Sequence, residues 1–384
     1  MAATIVSDPV QPGRSRPKVR GHLLGVFLVV MVVYGLSPMT QNFDSYLAYP
    51  TAWEMVHHRT LYLDDLHQPN VTGHYSYTAV PGGHHVDIFP WADSLLLVPS
   101  VLIADAGHAV GVTPSSREII SRTHVMDVIQ AESASVVVAL AAVLVWLIAF
   151  GRVTGDDRRR RRLATLVALG FAFGTAAWST ASRTMWGHGP SLLALAVVVL
   201  MADRIAGARP TGSGGQRWPA VGLGAALAAA YAFRPTNAIA VVGLTAWVLV
   251  QHRRLFVYEM LGAAAVAVPW LAVNVATFGA LLPPYSSASR LGLGSDYGQA
   301  LASDLISPSR GLLIYAPIVV LAGAGLVIGP RWRRPLDWTM GAAIVVHLLV
   351  IAALPAKGHD HWWMGHAYGS RLTTEVMVFA AALS

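Results

Sequence analysis

The chain has no cysteine, and charged residues make up only 12% of its 384 positions. Without thiols there is no disulfide framework, thiolate metal site, iron–sulfur cluster or cysteine nucleophile. Ordinary soluble domains carry about 25% charged residues. With 54% hydrophobic residues and a mean hydropathy of +0.52, the shortage of charge excludes a disordered chain and argues against a cytosolic enzyme. Other signatures are missing too. The glycines of 208–218, ARPTGSGGQRW, lack a following Gly-Lys-Ser/Thr and form no phosphate loop. No repeat recurs along the chain, and no His-Glu-x-x-His places two imidazoles on one helix face.

What the chain does have is a set of ten apolar runs, at 23–36, 128–150, 163–181, 190–202, 220–233, 238–250, 255–277, 311–328, 338–354 and 372–383. They predict an all-α polytopic membrane protein with about ten hydrophobic segments. The net charge of +7 does not point to nucleic acid, because the basic residues sit between apolar runs as positive-inside loops do. Residues 1–22 read as a cytoplasmic basic tail, with Arg14, Arg16, Lys18 and Arg20. No small-x-small cleavage site follows 23–36, so that run reads as an uncleaved anchor. Residues 23–384 then form one transmembrane domain. The segment 152–162 holds six arginines and belongs in the cytoplasm. Parity places 40–127 outside, as a large loop carrying interfacial helices. It also keeps a further apolar stretch, 89–104, from crossing. Asp93 and Asp105 fit that path, since a mid-membrane carboxylate is costly. On this topology 18 of the 27 basic residues are cytoplasmic, and no cytoplasmic loop is long enough for a nucleotide site. The run 372–383 is too short to span a membrane. It suggests a chain truncated at Ser384 or a half-span covered by something else.

The external segments are polar and rich in aromatics. Interface anchoring and turn chemistry explain part of this. They do not explain why single arginines recur beside Gly, Pro and Ser at the ends of several spans: Arg183, Arg234, Arg310 and Arg371. Any one of them could hold a lipid headgroup. Convergence would instead build an anion site, because guanidinium offers a planar fork of donors to phosphate. His188 follows Trp186-Gly187 at an expected helix start, where backbone amides favour phosphate; a tight turn with a snorkelling arginine is the plainer reading. Asp44, about seven residues past the first run, could be a general base or the N-cap of a helix over 45–56. Asp64 and Asp65 could bind an acceptor or a divalent ion, or cap a turn. Trp186, Tyr285, Trp362 and Trp363 could contact a sugar or anchor the interface. No cofactor is required by these residues, and a metal is conceivable but not favoured.

Seven short stretches carry a resemblance: Asn42-Phe43-Asp44-Ser45-Tyr46, LYLDD at 61–65, Phe89-Pro90-Trp91, AAWSTASRTMWGHGP at 176–190, Arg234-Pro235-Thr236-Asn237, Ser307-Pro308-Ser309-Arg310-Gly311 and HWWMGHAYGSR at 361–371. In this order and on one side, they resemble a bacterial group within the C-type glycosyltransferase superfamily, polytopic enzymes that use polyprenyl-phosphate-linked sugars. Family members usually read WWGG…YGPR near the last motif; Met364-Gly365-His366 and Ser370 depart from that, and family members usually continue further. The resemblance implies a helical body in the bacterial plasma membrane with an external active site. It implies Asp44 as general base, and a donor phosphate held by Arg183, His188, Arg234, Arg310 and Arg371. The expected partners are the lipid bilayer, a polyprenyl-phosphate-linked sugar and a glycan, lipid or protein acceptor. The rival readings are a transporter or flippase of a lipid-linked substrate and a non-catalytic envelope scaffold. Transporters tend to keep their polar residues near mid-membrane, often in two related halves, and neither feature is visible.

Overall fold

The computed structural model describes residues 16–38, 43–207, 214–286, 296–328, 334–354 and 369–384. Helix α1 (Arg16–Gly35) leads into the long loop, which folds as α2 (Ala48–His57), α3 (Pro69–Thr72), a hairpin of β1 (Tyr77–Ala79) and β2 (His85–Asp87), a 3-10 turn (Trp91–Leu97), α4 (Val98–Ala109) and α5 (Ser116–Ser121). The body follows: α6 (Thr123–Arg152), α7 (Asp157–Phe173), α8 (His188–Gly207), α9 (Arg217–Phe233), α10 (Ala238–Gln251), α11 (Phe256–Phe278), α12 (Tyr297–Ile306), α13 (Leu312–Tyr315), α14 (Ile318–Ile328), α15 (Pro335–Ala352) and α16 (Met377–Leu383).

Among the described residues, α6, α8, α11 and α15 are long and apolar enough to cross a membrane, and three shorter apolar helices accompany them. Several predicted runs are interrupted. The run 163–181 is α7, a break at Gly174-Thr175, and a single π-turn (Ala177–Ala181). The run 311–328 divides at Ala316-Pro317, because proline has no N–H to continue α13. The stretch 89–104 is a 3-10 turn followed by part of α4 rather than one long helix.

Composition does not separate inside from outside in such a body. Val257, Leu261, Val268 and Val275 of α11 are exposed along one helix face, where a bilayer would cover them. The packed side relies on small residues instead. A Cβ on Gly224 of α9 would come within 1.8 Å of the Glu259 carbonyl, and one on Gly262 of α11 within 1.9 Å of the Val221 carbonyl. The two backbones therefore touch, as glycine-mediated membrane helix pairs do. The long loop has its own core, with Leu47, Tyr49, Trp53, Leu63, Leu66 and Leu97 packed on Met126 and Met185.

The chain alternates direction through the body. The loop end gathers the start of α8 and the end of α9, while the other end, near 152–162, is rich in arginine. There Arg152 grips Asp203 with two hydrogen bonds of 2.7 Å, Asp337 with one of 2.8 Å, and the Ala382 carbonyl at 3.1 Å. Arg334 closes this cluster by donating to Asp203 at 3.0 Å. The segment 371–383, which contains the run 372–383, joins this end to the loop end. Its first part is a 3-10 helix (Arg371–Val376), which rises ~2.0 Å per residue against ~1.5 Å for α16. Its length is then roughly 22 Å, close to the rise from His188 to Asp203 along α8. The segment is buried within the bundle, so helical neighbours rather than lipid surround it.

Candidate active site

The loop end opens into a small cleft. Three parts of the long loop feed it. The turn before α2 brings Asp44 and Ser45. The β-hairpin brings Asp87, its strands reversing through Pro81-Gly82-Gly83, where both glycines take positive φ (93° and 83°). The 3-10 turn brings Asp93. The body supplies Trp186 and Gly187 before α8, Arg234 after α9, Tyr285, and Arg371 from the last segment.

Asp44 and Arg371 meet across 327 residues of sequence: the Arg371 guanidinium donates to Asp44 Oδ2. Tyr75 donates to Asp44 Oδ1 at 2.5 Å. Burial alone would raise the Asp44 carboxyl, but the Arg371 charge and these two hydrogen bonds outweigh it and hold it below the usual carboxylate range. Asp44 is therefore ionised at neutral pH. It is not a helix cap, since α2 begins later, at Ala48, and has no side-chain cap. The Arg371 guanidinium also lies 4.1 Å from the centre of the Trp186 ring. Trp186 thus supports the arginine on the face where a sugar contact was expected.

Beneath the cleft lies a buried charge network. Glu375 Oε1 stands 2.7 Å from Arg234 Nε and 2.6 Å from His188 Nδ1. The Arg234 contact is a close charge pair whose N–H is poorly aimed, as that nitrogen has no aligned acceptor. His188 Nε2 faces Arg234 at 3.2 Å and Arg371 at 3.4 Å. His188 therefore accepts from the arginines through one nitrogen and donates to Glu375 through the other. It positions the guanidinium groups and does not line the cleft. His347 holds the Leu372 carbonyl at 2.9 Å and stands 3.8 Å from Glu375 Oε2.

Two more carboxyls face the cleft. Burial pushes Asp87 up to about 7 despite hydrogen bonds from the Phe89 N–H and the Ser76 hydroxyl. Burial raises Asp93 well above the usual carboxylate range, against the opposing charge of Arg234, and its Oδ1 has no hydrogen-bond partner among the described residues. The site thus combines an ionised carboxylate, two carboxyls that retain protons near neutral pH, and two arginines.

The expected residues divide as follows. Asp44, Arg234, Arg371, Trp186 and Tyr285 share the cleft. Arg310 lines an adjoining pocket with Asp304, and Arg371 borders both. Arg183 is elsewhere: it is buried, donates to the Tyr34 carbonyl at 3.1 Å through both terminal nitrogens, and fastens the end of α1 to the body. Asp64 and Asp65 lie outside the cleft, Asp64 bonded to His84 at 2.7 Å and to His85. The helix start after Trp186-Gly187 was expected to favour phosphate, but its glycines are taken up by packing. Gly189 admits the Ala181 carbonyl, and a Cβ on Gly187 would meet the Phe233 carbonyl at 2.6 Å as well as Asp93. Trp362 and Trp363 lie outside the described residues.

Asp87, Asp93 and Glu375 were not expected as site residues. Asp93 and Glu375 had a signal, as carboxylates isolated in apolar runs. Asp87 had none. Comparison with protein-family models, curated proteins and solved structures finds no match for this chain.

Proposed function

We propose that this protein is a membrane glycosyltransferase that moves a sugar from a polyprenyl-phosphate-linked donor to an acceptor at the external face. The observation that carries the reading is the meeting of Asp44, Arg371 and Arg234 in one cleft at the loop end. With the arginine-rich end in the cytoplasm, that cleft faces outward.

In the described state Asp44 and Arg371 neutralise each other. A donor phosphate would compete for Arg371 and Arg234 and release Asp44. Asp44 then accepts the proton of the acceptor hydroxyl. The acceptor oxygen forms a bond to the anomeric carbon while the bond from that carbon to the phosphate oxygen breaks. The electron pair leaves on the phosphate, where the two guanidinium groups stabilise the growing charge. Protonated Asp93 and Asp87 can donate hydrogen bonds to sugar hydroxyls, which two more anionic groups beside a phosphate could not do. A transporter reading gains nothing from the geometry, since the groups that line the cleft lie at the loop end.

The test is incubation of the purified protein with polyprenyl-phosphate-linked sugars of several kinds, with mass spectrometry of released lipid phosphate. Release with transfer, lost in Asp44→Asn, supports the reading. No release from any donor by folded protein, across glycan, lipid and peptide acceptors, contradicts it.

A further inference from the structure

The far end of α2 carries a polar cluster that the cleft does not use. Helix α2 runs about 15 Å from cleft-lining Ala48 to its C-terminal end at His57. Glu54 and His58 stand one turn apart on a single face. The chain then reverses at Arg59, with φ 56°, and returns through buried Leu63 to set Asp65 beside His58. His58 Nδ1 is 2.6 Å from Glu54 Oε2 and 3.4 Å from Asp65 Oδ2. One donor atom from each of the three residues lies within 4.8 Å of the others.

A second observation points to a ligand. The Glu54 side chain is wholly buried, and its Oε1 has no hydrogen-bond partner among the described residues. A buried carboxylate oxygen without a partner is costly, and one shared imidazole proton cannot serve both carboxylates. Arg117 does not relieve it: its guanidinium donates to the Asp65 backbone carbonyl at 3.2 Å and lies over the Trp53 ring. His58 and Asp65 are open to solvent on the remaining side.

We propose that Glu54, His58 and Asp65 bind a first-row divalent transition-metal ion, of which zinc is the type, with water completing the shell. Tetrahedral zinc holds nitrogen and oxygen at ~2.0–2.1 Å, which sets neighbouring ligand atoms ~3.4 Å apart. The His58–Asp65 separation already has that value. Glu54 reaches it by withdrawing less than ~1 Å or by presenting Oε1. One imidazole with two carboxylates suits such an ion better than magnesium or calcium, which take oxygen shells of about six or more. The site would join the end of α2 to the turn at 63–66. In a loop without cysteine, it would do the work of a disulfide. It stands at the opposite end of α2 from Asp44 and is independent of the transferase reading.

The experiment uses the full chain in detergent, stripped with EDTA and titrated with zinc against a chromophoric chelator. The expected result is one high-affinity zinc per chain and a higher melting temperature with zinc than without. Asp65→Asn alters an exposed side chain and should preserve the fold while weakening binding by roughly tenfold or more. His58→Ala should weaken it at least as much. His84→Ala/His85→Ala, in the neighbouring Asp64 cluster, should leave affinity unchanged. X-ray absorption should show one imidazole among oxygen ligands. Absence of zinc binding by folded wild-type protein overturns the proposal. So does binding that survives both Asp65→Asn and His58→Ala, or that disappears only with the His84/His85 variant.

Discussion

Helix α8 has an arginine–carboxylate cluster at each end. At the arginine-rich end, Arg152 is 3% exposed and its guanidinium is directed at Asp203, Asp337 and the Ala382 carbonyl. Arg334 adds a second cation to match the second carboxylate. Arg152 holds Asp203 through a fork and is almost wholly buried. At the loop end, Arg371 and Asp44 are also paired, but beside open space. Asp93 Oδ1 and Glu375 Oε2 there have no hydrogen-bond partner among the described residues. The first arrangement fixes helices α6, α8, α15 and α16 together. The second keeps polar groups incompletely satisfied in a cleft, which is costly for stability and useful for binding. Number of charges does not separate architecture from chemistry here. Access does: each cluster has a carboxylate oxygen without an aligned donor among the described residues, Asp337 Oδ2 and Glu375 Oε2, but Arg371 and Asp44 line a cleft while Arg152 is almost wholly buried.

The largest expected effect is on the closed cluster. Asp203→Ala leaves Arg152 and Arg334 short of a partner in a largely buried place. Unfolding in detergent should show a loss of about 3 kcal/mol, at the low end for buried pairs because Asp203 is partly exposed. A negligible loss would mean that this cluster does not hold the body together. On the open side, Arg371→Lys keeps the charge but loses the fork and the plane stacked on Trp186. Donor turnover should fall roughly tenfold to a hundredfold, by ~1.4–2.7 kcal/mol, with little change in melting temperature. Equal turnover would make Arg371 a point charge only.

Gly187→Ala sharpens the comparison from the backbone. The new methyl must displace the Phe233 carbonyl or Arg234, so the guanidinium shifts without any change of charge. Turnover should drop by about tenfold or less; an unchanged KM and kcat would show that Arg234 need not be placed closely. A further test on the open side is a pH dependence. Asp87 binds its proton more tightly in the folded state, up to about 7, than in the unfolded chain, near ~3.9. Between these values the folded state holds the extra proton, so stability falls as pH rises and levels off above 7. Melting temperature should decline by roughly 2–4 °C for each kcal/mol lost, and Asp87→Asn should flatten the slope. A stability that rises over pH 5–7 through Asp87 would contradict its burial as the protonated acid.

The sequence made the helical body legible through its apolar runs, and it made Asp44, Arg234 and Arg371 legible as polar residues at the ends of such runs. It did not reveal where the helices break. The runs at 163–181 and 311–328 read as continuous because apolar composition is blind to a π-turn or to Pro317. Arg183 and Arg234 looked alike for a similar reason: each ends a span beside small residues. Only packing shows that Arg183 turns back to the Tyr34 carbonyl while Arg234 turns to the cleft. Asp87 was invisible because a three-residue strand has too little periodicity to register. The last run was legible as short, but not that its first part is 3-10 or that it lies buried within the bundle.

The most direct measurement compares Asp44→Asn with Asp203→Asn, reading donor turnover per folded molecule and melting temperature on both. The account predicts a crossover. Asp44→Asn should lose about 10²–10⁴-fold in turnover and keep its melting temperature, while Asp203→Asn should melt earlier and keep its turnover. If Asp44→Asn turns over at the wild-type rate, or if each variant loses both properties together, the division between a working cluster and a structural one is wrong.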